Sequence, residues 1–188
     1  VESLTALKIS PQAHAIRAIA LELERIANHA GDLGALAGDV GFLPTASYCG
    51  RLRGDFLNMT ALICGNRLGR GIVVPGGVGF DLNADIIEAL ANKLNAAMRD
   101  LEGAVNLLWN TPSVQSRFDN TGVVSKELSK SLGLVGPAAR ACDIDQDIRC
   151  DFPTGMYRFL QIYRSTWHTG DVFARAFVRW VEIQRSAD

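Results

Sequence analysis

The sequence predicts a mainly α-helical fold, a bundle of long helices with a small β element. Four segments repeat apolar residues at three- and four-residue steps, which places those residues on one face of a helix. A short apolar run before Pro75 is followed by two glycines, the pattern of a strand that leads into a tight turn. The chain has 188 residues, of which 48% are hydrophobic and 21% charged. That composition suffices for an ordinary core, and we expect one domain over residues 1–188.

The first predicted helix runs from about Pro11 to Gly41. Proline directly after Ser10 suits the first turn behind an N-cap. The apolar face holds Ile16, Ile19, Leu23, Ile26, Ala27, Ala30, Leu33, Ala37 and Val40. The opposite, polar side holds His14, Arg25, His29, Asp32 and Asp39. Glycines at 31, 34, 38 and 41 indicate the close approach of a neighbouring element, since each costs about 0.8 to 1 kcal/mol against alanine in a free helix.

The second predicted helix spans about Ala46 to Arg67. Its apolar side holds Leu52, Phe56, Met59, Leu62 and Ile63. Glycines then end the helical pattern, and residues 72–74 form the predicted strand. The third helix is expected from the N-cap Asn83 to about Asn110, where the apolar residues keep helical spacing until Pro112 stops the helix.

The second half of the chain is less regular. Ser125 to Leu132 predicts a short helix that is closed by Gly133. The segment from Arg158 to Trp167 is ambiguous, and we favour a strand there. Gly170 to about Ser186 predicts the last helix because its large apolar residues again recur at three- and four-residue steps.

Charge and motif spacing exclude several functions. A net charge of −1 without a dense Lys/Arg cluster gives no electrostatic footprint for nucleic acid. No apolar run approaches the roughly 20 residues that cross a bilayer, so we expect no direct membrane span. The cysteines form no Cys-x-x-Cys pair and the histidines no His-Glu-x-x-His motif, so we expect no metal site in this chain. The cysteines are Cys49, Cys64, Cys142 and Cys150.

Charged residues are densest between Gly136 and Pro153, where helix periodicity is lost. This segment contains Arg140, Asp143, Asp145, Asp147, Arg149 and Asp151. One interpretation is a solvated acidic loop. The other is a lattice of ion pairs that holds the two guanidinium groups against a site, because buried charges must be paired. In that case we expect Arg140 and Arg149 to contact carboxylates within the loop or on the first helix, at Asp145, Asp147 or Asp39.

Several runs of the sequence resemble one family. They are ERIANH at 24–29, GDLGAL at 31–36, PGGV at 75–78, GLVGP at 133–137, ARA at 139–141 and VRWVEIQRS at 178–186. Together they resemble the large subunit of energy-converting nickel–iron (NiFe) hydrogenases, including the formate hydrogenlyase type, and the homologous large subunit of respiratory complex I. The resemblance covers about Pro11 to Ser186. It departs at Cys142-Asp143, where the family usually has Ser-Gly.

The resemblance implies that the chain is the scaffold part of the catalytic large subunit of a membrane-associated, hydrogenase-like oxidoreductase. In the hydrogenase branch, paired Cys-x-x-Cys motifs near the two ends bind nickel. Neither is present here, so we expect an internal fragment of a longer subunit that is inactive alone. The resemblance further implies a Ni-Fe centre in the intact protein, iron–sulfur clusters in a small partner subunit, and membrane subunits. It places the complex on the cytoplasmic face of the inner membrane, with this subunit in the peripheral arm.

Seven residues are candidates for a proton relay or for supporting the centre in the intact protein. They are Arg25, His29, Asp39, Arg140, Asp145, Asp147 and Arg149. For Arg25 and His29, a structural ion-pair role is more common than a relay role. We expect none of the seven to bind a metal or a cofactor directly.

Two alternatives remain open. In the complex I branch, the acid ten residues after the Asn-His pair belongs to the quinone-reduction pocket, and Asp39 occupies that position. That branch also has a histidine shortly before its Pro-Gly-Gly turn, where this chain has Gly69, and this difference favours the hydrogenase branch. The third interpretation, from another class, is a helical assembly subunit that has kept the fold and lost the chemistry.

Overall fold

The computed structural model describes residues 1–188 and confirms the mainly α-helical prediction. The helices are α1 (Glu2–Thr5), α2 (Pro11–Asp39), α3 (Leu43–Cys64), α4 (Ala84–Trp109), α5 (Pro112–Phe118), α6 (Lys126–Ser131), α7 (Gly136–Arg140), α8 (Ile148–Asp151) and α9 (Val172–Ala187). A 3₁₀ turn covers Gly155–Arg158. The small β element is an antiparallel hairpin of β1 (Val73–Val74) and β2 (Gly77–Val78).

Helix α2 lies at the centre of the fold, where it packs against both α3 and α9, while α4 packs on α3. The predicted N-terminus is confirmed, since Ala13 N–H donates to the hydroxyl of Ser10 at 3.1 Å and Pro11 occupies the first turn. The helix ends at Asp39, two residues before the predicted end. Gly41 adopts a φ of 74°, which turns the chain toward α3.

The glycines of α2 explain how closely α3 approaches. A Cβ on Gly34 would lie 3.0 Å from the Cβ of Cys49, and one on Gly31 would lie 2.7 Å from the Cδ of Arg53. The predicted close approach is therefore confirmed at these two positions. It is wrong at Gly41, where a Cβ would meet no atom within 4 Å.

One large core lies between α2, α3, α4 and α9. Its largest fully buried side chains include Phe56, Phe118, Ile26, Leu33, Leu52, Met59, Leu101, Leu108 and Ile183. Two predicted core residues lie partly outside it: Ile19 is 42% exposed and Leu62 is 38% exposed. Both lie at the margin of their apolar stripe, where the neighbouring helix does not cover them.

The hairpin is tied to the start of α2 by one arginine. Arg17 Nε donates to the carbonyl of Gly77 at 3.0 Å, and its Nη2 donates to the carbonyl of Val74 at 2.9 Å. The same guanidinium pairs with Glu2, whose carboxylate also accepts from Gly76 N–H at 2.8 Å. The predicted strand and tight turn before α4 are confirmed.

The predicted starts of the other helices agree closely with the structure. Side-chain oxygens of Asn83, Ser125 and Asp171 accept hydrogen bonds from backbone N–H groups in the first turns of α4, α6 and α9. The exception is α3, which begins at Leu43, three residues before the predicted start, because Pro44 fits the first helical turn. No helix of the chain is both long enough and apolar enough to cross a bilayer.

The segment from Arg158 to Trp167 is not a strand, so this prediction is wrong. After the 3₁₀ turn it continues without regular structure, because no neighbouring strand offers a ladder of backbone groups. Only Trp167 forms a strand-like pair of hydrogen bonds, donating to Arg140 O and accepting from Asp143 N. The charged segment before it also differs from the prediction, since it contains α7 and α8 rather than a continuous loop.

Candidate functional site

The centre of the candidate site is Glu182, a carboxylate without any exposed surface. Amphipathic α9 turns this residue toward α2 and α7. Three cationic or imidazole groups surround it: Arg25 Nη2 at 2.8 Å, His29 Nε2 at 2.8 Å and Arg140 Nε at 2.5 Å. A wholly buried carboxylate is tolerated only when such partners replace its water shell.

A second carboxylate, Glu22, lies one turn before Arg25 on α2. Arg149 Nη1 donates to both of its oxygens, at 2.9 and 3.0 Å. The hydroxyls of Tyr157 and Ser186 each donate to it at 2.6 Å. Glu22 therefore joins α2, α8, the 3₁₀ turn and α9 at one point.

Arg25 connects the Glu182 cluster to the Glu22 cluster, and Asp147 adds a third carboxylate through its pair with Arg149. Arg25 Nη1 lies 3.6 Å from Glu22 and donates to Ser186 Oγ at 3.0 Å, while its other nitrogen pairs with Glu182. Asp147 binds Arg149 Nη2 at 2.8 Å and also accepts from the Arg149 backbone N–H at 3.0 Å. The result is a continuous network of three carboxylates and three guanidinium groups.

Burial and ion pairing have opposite effects on the pKa values of these carboxylates. Burial alone would raise the pKa of Glu182, but hydrogen bonds from His29 and Arg140 and the charge of Arg25 lower it to about 2. The pKa values of Glu22 and Asp147 are likewise lowered, because hydrogen bonds and the Arg149 charge outweigh burial. The pKa of Tyr157 is raised, by burial first and then by its hydrogen bond to Glu22. The three carboxylates are therefore ionised at neutral pH.

A cleft of about 920 Å³ opens above this network. Its lining residues are Leu21, Glu24, Arg25, Asn28, His29, Val135, Gly136, Arg140, Gln146, Asp147, Ile148, Arg149, Asp151 and Phe152. A second, more apolar cleft of about 510 Å³ also has Arg149 in its lining, together with Glu22, Tyr157 and Ile19. Residues of the charged network thus line both clefts.

Five of the seven predicted site residues come together here: Arg25, His29, Arg140, Asp147 and Arg149. The predicted Arg149–Asp147 contact is confirmed. For Arg140 the predicted carboxylate partner is wrong, because its guanidinium pairs with Glu182 on α9 rather than with an aspartate of the loop or of α2. The same guanidinium also donates to the loop carbonyl of Gln146 at 2.8 Å. Arg140 stands at the end of the short helix α7, and its side chain is buried there against α9.

The other two predicted residues lie apart from this network. Asp39 is exposed at the C-terminus of α2. Asp145 is also exposed, and it pairs with Arg164 at 3.1 Å.

Three residues of the network, Glu22, Glu182 and Tyr157, were not predicted from the sequence. Glu182 stands inside the motif at 178–186, and Glu22 lies three residues before Arg25, so a sequence signal existed for both.

The side chains of this chain do not fit a nickel–iron centre. No group of three or more His, Cys, Asp or Glu side chains is placed to hold a metal ion. The four cysteines are free, and burial raises the pKa of the Cys49 thiol to about 11, which opposes formation of a metal-binding thiolate.

The fold is shared with a solved respiratory complex. The chain superposes on a chain from the structure of the membrane-bound sulfane sulfur reductase (MBS), an archaeal respiratory membrane complex, with a TM-score of 0.90 and 22% identity. The match covers 99% of this chain and 50% of that one. The two chains therefore share one mainly helical fold.

The family follows from sequence comparison. The chain belongs to the family described as the respiratory-chain NADH dehydrogenase 49 Kd subunit, whose model matches residues 39–188. It is 31% identical to a subunit of the NADH-quinone oxidoreductase of Clostridium beijerinckii, over 99% of this chain and 50% of that protein. It is also 31% identical to the carbon monoxide-induced hydrogenase of Rhodospirillum rubrum, over 99% of this chain and 52% of that protein. The chain therefore spans about half the length of these relatives, and the resemblance seen in the sequence is confirmed.

Proposed function

We propose that this chain is the scaffold part of the catalytic large subunit of a membrane-associated, NiFe-hydrogenase-like oxidoreductase that reduces protons or oxidises hydrogen. The observation that carries the proposal is the buried network around Glu182 beneath the 920 Å³ cleft. A site that handles protons or charge needs groups fixed in place before the reaction. The similarity to the carbon monoxide-induced hydrogenase supports the hydrogenase branch.

In this proposal the chain supplies positioned charges and not the metal. Because its own side chains do not fit a nickel–iron centre, the ligands of the Ni-Fe centre would lie outside these residues. Arg25, Arg140 and Arg149 each hold one planar orientation through carboxylate contacts. Their role would be to set the charge of the cleft wall and to keep α7 and α8 in place.

The intact complex would contain an iron–sulfur small subunit and membrane subunits. Electrons would pass through the iron–sulfur clusters of that small subunit, and this chain would lie in the peripheral arm on the cytoplasmic face of the inner membrane. Support comes from the relatives, which include a subunit of NADH-quinone oxidoreductase, and from the shared fold with a respiratory membrane complex.

The second candidate function is that of the large subunit of an NADH-quinone oxidoreductase, with Asp39 as an acid of the quinone pocket. The family match and the relative from C. beijerinckii favour it. The exposed position of Asp39 at the C-terminus of α2 leaves it accessible to a neighbouring subunit in this alternative.

Asp145 has no contact with the buried network, and its candidacy as a relay residue depends on the resemblance alone.

The experiment is to purify the native complex through a tag on this subunit and to assay two activities. Hydrogen evolution from reduced methyl viologen, together with nickel in elemental analysis, would support the hydrogenase proposal. Reduction of decylubiquinone without nickel would instead support the quinone alternative. An assembled complex with neither activity would overturn both and leave the assembly role.

A matched pair of variants connects the activity to the network. Glu182→Gln removes the central charge and is expected to lower the activity of the assembled complex by at least about tenfold, because Arg25 and Arg140 lose their shared partner. Asp100→Asn breaks an exposed pair with Arg51 and serves as the control. Equal activity in both variants would count against a role for the network.

A further inference from the structure

Large apolar side chains surround the 920 Å³ cleft and remain in contact with water. Val135, Ile148 and Phe152 are each 74% exposed, and Leu21 of α2, which lines the same cleft, is 45% exposed. Single exposed apolar residues are common on protein surfaces and need no explanation, whereas several around one cleft form a patch. A patch of this kind marks a surface to which another molecule binds.

The ion pairs of the buried network determine what α8 presents to the outside. The guanidinium group of Arg149 is held inside the protein by Glu22 and Asp147. Ile148 begins α8 and Phe152 directly follows its last residue. While Arg149 is fixed inward, these two apolar side chains stay outside. Their exposure therefore follows from the same contacts that form the network.

One charge in the lining of the cleft has no partner within the chain. The three arginines of the lining are each paired with a carboxylate, and Asp147 and Asp151 are each paired with an arginine. Glu24, which is exposed on α2 one turn after Leu21, makes no ion pair. The surface thus combines apolar side chains with one free negative charge. A complementary partner has apolar side chains and a cation opposite Glu24.

We propose that a polypeptide segment of a partner subunit docks on this surface. Its apolar side chains pack against Val135, Ile148 and Phe152, and its lysine or arginine pairs with Glu24. The inference rests on the proposed function for the existence of partner subunits, which the similarity to a subunit of NADH-quinone oxidoreductase supports. The docked segment covers the charged network and excludes water from it, which strengthens the electrostatic interactions there.

The anatomy of the cleft favours a polypeptide over the other occupants. Buried charged residues form its floor and exposed apolar residues form its rim. A small molecule inside the cleft would leave Ile148 and Phe152 in water, whereas small-molecule sites enclose their ligand between apolar walls. A membrane surface is disfavoured because its anionic headgroups would meet the carboxylate of Glu24.

The first test detects the partner directly in the native complex, purified through a tag on this subunit. Photo-crosslinkers are placed by Phe152→p-benzoylphenylalanine and Val135→p-benzoylphenylalanine, and peptide mass spectrometry identifies the adducts. The control position is Leu107 of α4, which is 49% exposed and lines a different cleft. We expect both test positions to crosslink to one segment of the same co-purified subunit, and the control position not to reach that segment.

Three results of this test would overturn the proposal. They are the absence of any adduct at the two positions, adducts with lipid only, and adducts only with the polypeptide of this subunit itself.

The second test addresses the charge contact. Glu24→Lys reverses the free charge of the cleft, and Glu88→Lys reverses an exposed charge on α4 as the control. We expect Glu24→Lys to lower recovery of the crosslinked subunit by about fivefold or more, and the control to stay within about twofold of the parent. Reversal of the partner's cation to glutamate should restore recovery with Glu24→Lys, which a misfolded variant would not allow. Full recovery with Glu24→Lys alone would contradict the assigned contact.

Failure of this inference and failure of the proposed function give different results. An active complex in which neither cleft position crosslinks to a partner would overturn the docking site alone. A complex that has neither assayed activity, but in which both positions crosslink to one partner segment, would defeat the proposed oxidoreductase function and leave the docking site in place.

Discussion

His29 and Glu182 lie 153 positions apart in the chain, and their side chains meet at 2.8 Å inside the protein. This contact joins α2 to α9, and Arg25 and Arg140 pair with the same carboxylate. The network is thus a tertiary feature, assembled from residues of α2, α7, α8 and α9. Loss of a charge from this network should therefore lower the free energy of unfolding by more than loss of a charge from an exposed ion pair.

Glu182→Gln should destabilise the chain by about 3 to 5 kcal/mol, because two guanidinium groups lose a wholly buried partner. Urea unfolding followed by far-UV circular dichroism measures the change. Asp100→Asn, which removes an exposed carboxylate from its pair with Arg51, should cost less than about 1 kcal/mol. A loss for Glu182→Gln no larger than for the control would show that the pairing is weak.

Arg149→Ala should cost about 3 kcal/mol or more, because it leaves Asp147 and Glu22 without their shared cation. Arg140→Ala should cost a similar amount, for the same reason at Glu182. The control is Arg164→Ala, which breaks partly exposed pairs with Asp145 and Asp151 and should cost less than about 1 kcal/mol. If all three variants unfold at the same urea concentration as the parent, the segment from α7 to α8 is not held by these ion pairs.

The sequence predicted the long helices because their apolar spacing and their caps are local signals. Ser10, Asn83 and Ser125 mark helix starts that any reader of the sequence can find. The partner of Arg140 could not be found this way, because burial of a charge depends on which helices pack together. Glu182 looks like an ordinary helical residue until α9 is placed against α2. The strand predicted after Arg158 is wrong because its apolar residues are a local signal, whereas a strand also needs a neighbouring strand, which the fold does not provide.

Acid should unfold the chain partly through Glu182. Its pKa falls from an ordinary value of about 4.5 to about 2 in the folded protein, so the folded state binds fewer protons than the unfolded state. The resulting stabilisation, about 3 kcal/mol, is complete above the unfolded pKa and is lost as the pH falls through the folded pKa. The pKa values of Glu22 and Asp147 are also lowered and add to the same trend.

Urea titrations across this acidic range should therefore show stability falling from about pH 4.5 toward about pH 2. In Glu182→Gln the slope should be smaller, because one of the groups that takes up a proton on unfolding is gone. Asp100→Asn should keep the slope of the parent. An unchanged slope in Glu182→Gln would mean that this carboxylate is not the source of the acid sensitivity.

Gly34→Ala should destabilise the chain by about 1 to 3 kcal/mol even though alanine is the better helix former. The added Cβ would lie 3.0 Å from the Cβ of Cys49 and 3.3 Å from the carbonyl oxygen of Ala46, so α3 must move away from α2. Gly103→Ala is the matched control on α4, because a Cβ there meets no atom within 4 Å. It should stabilise the chain by about 0.5 to 1 kcal/mol through helix propensity alone. Thermal or urea unfolding of the pair separates the two effects, and a Gly34→Ala chain as stable as Gly103→Ala would show that α2 and α3 do not pack at this distance.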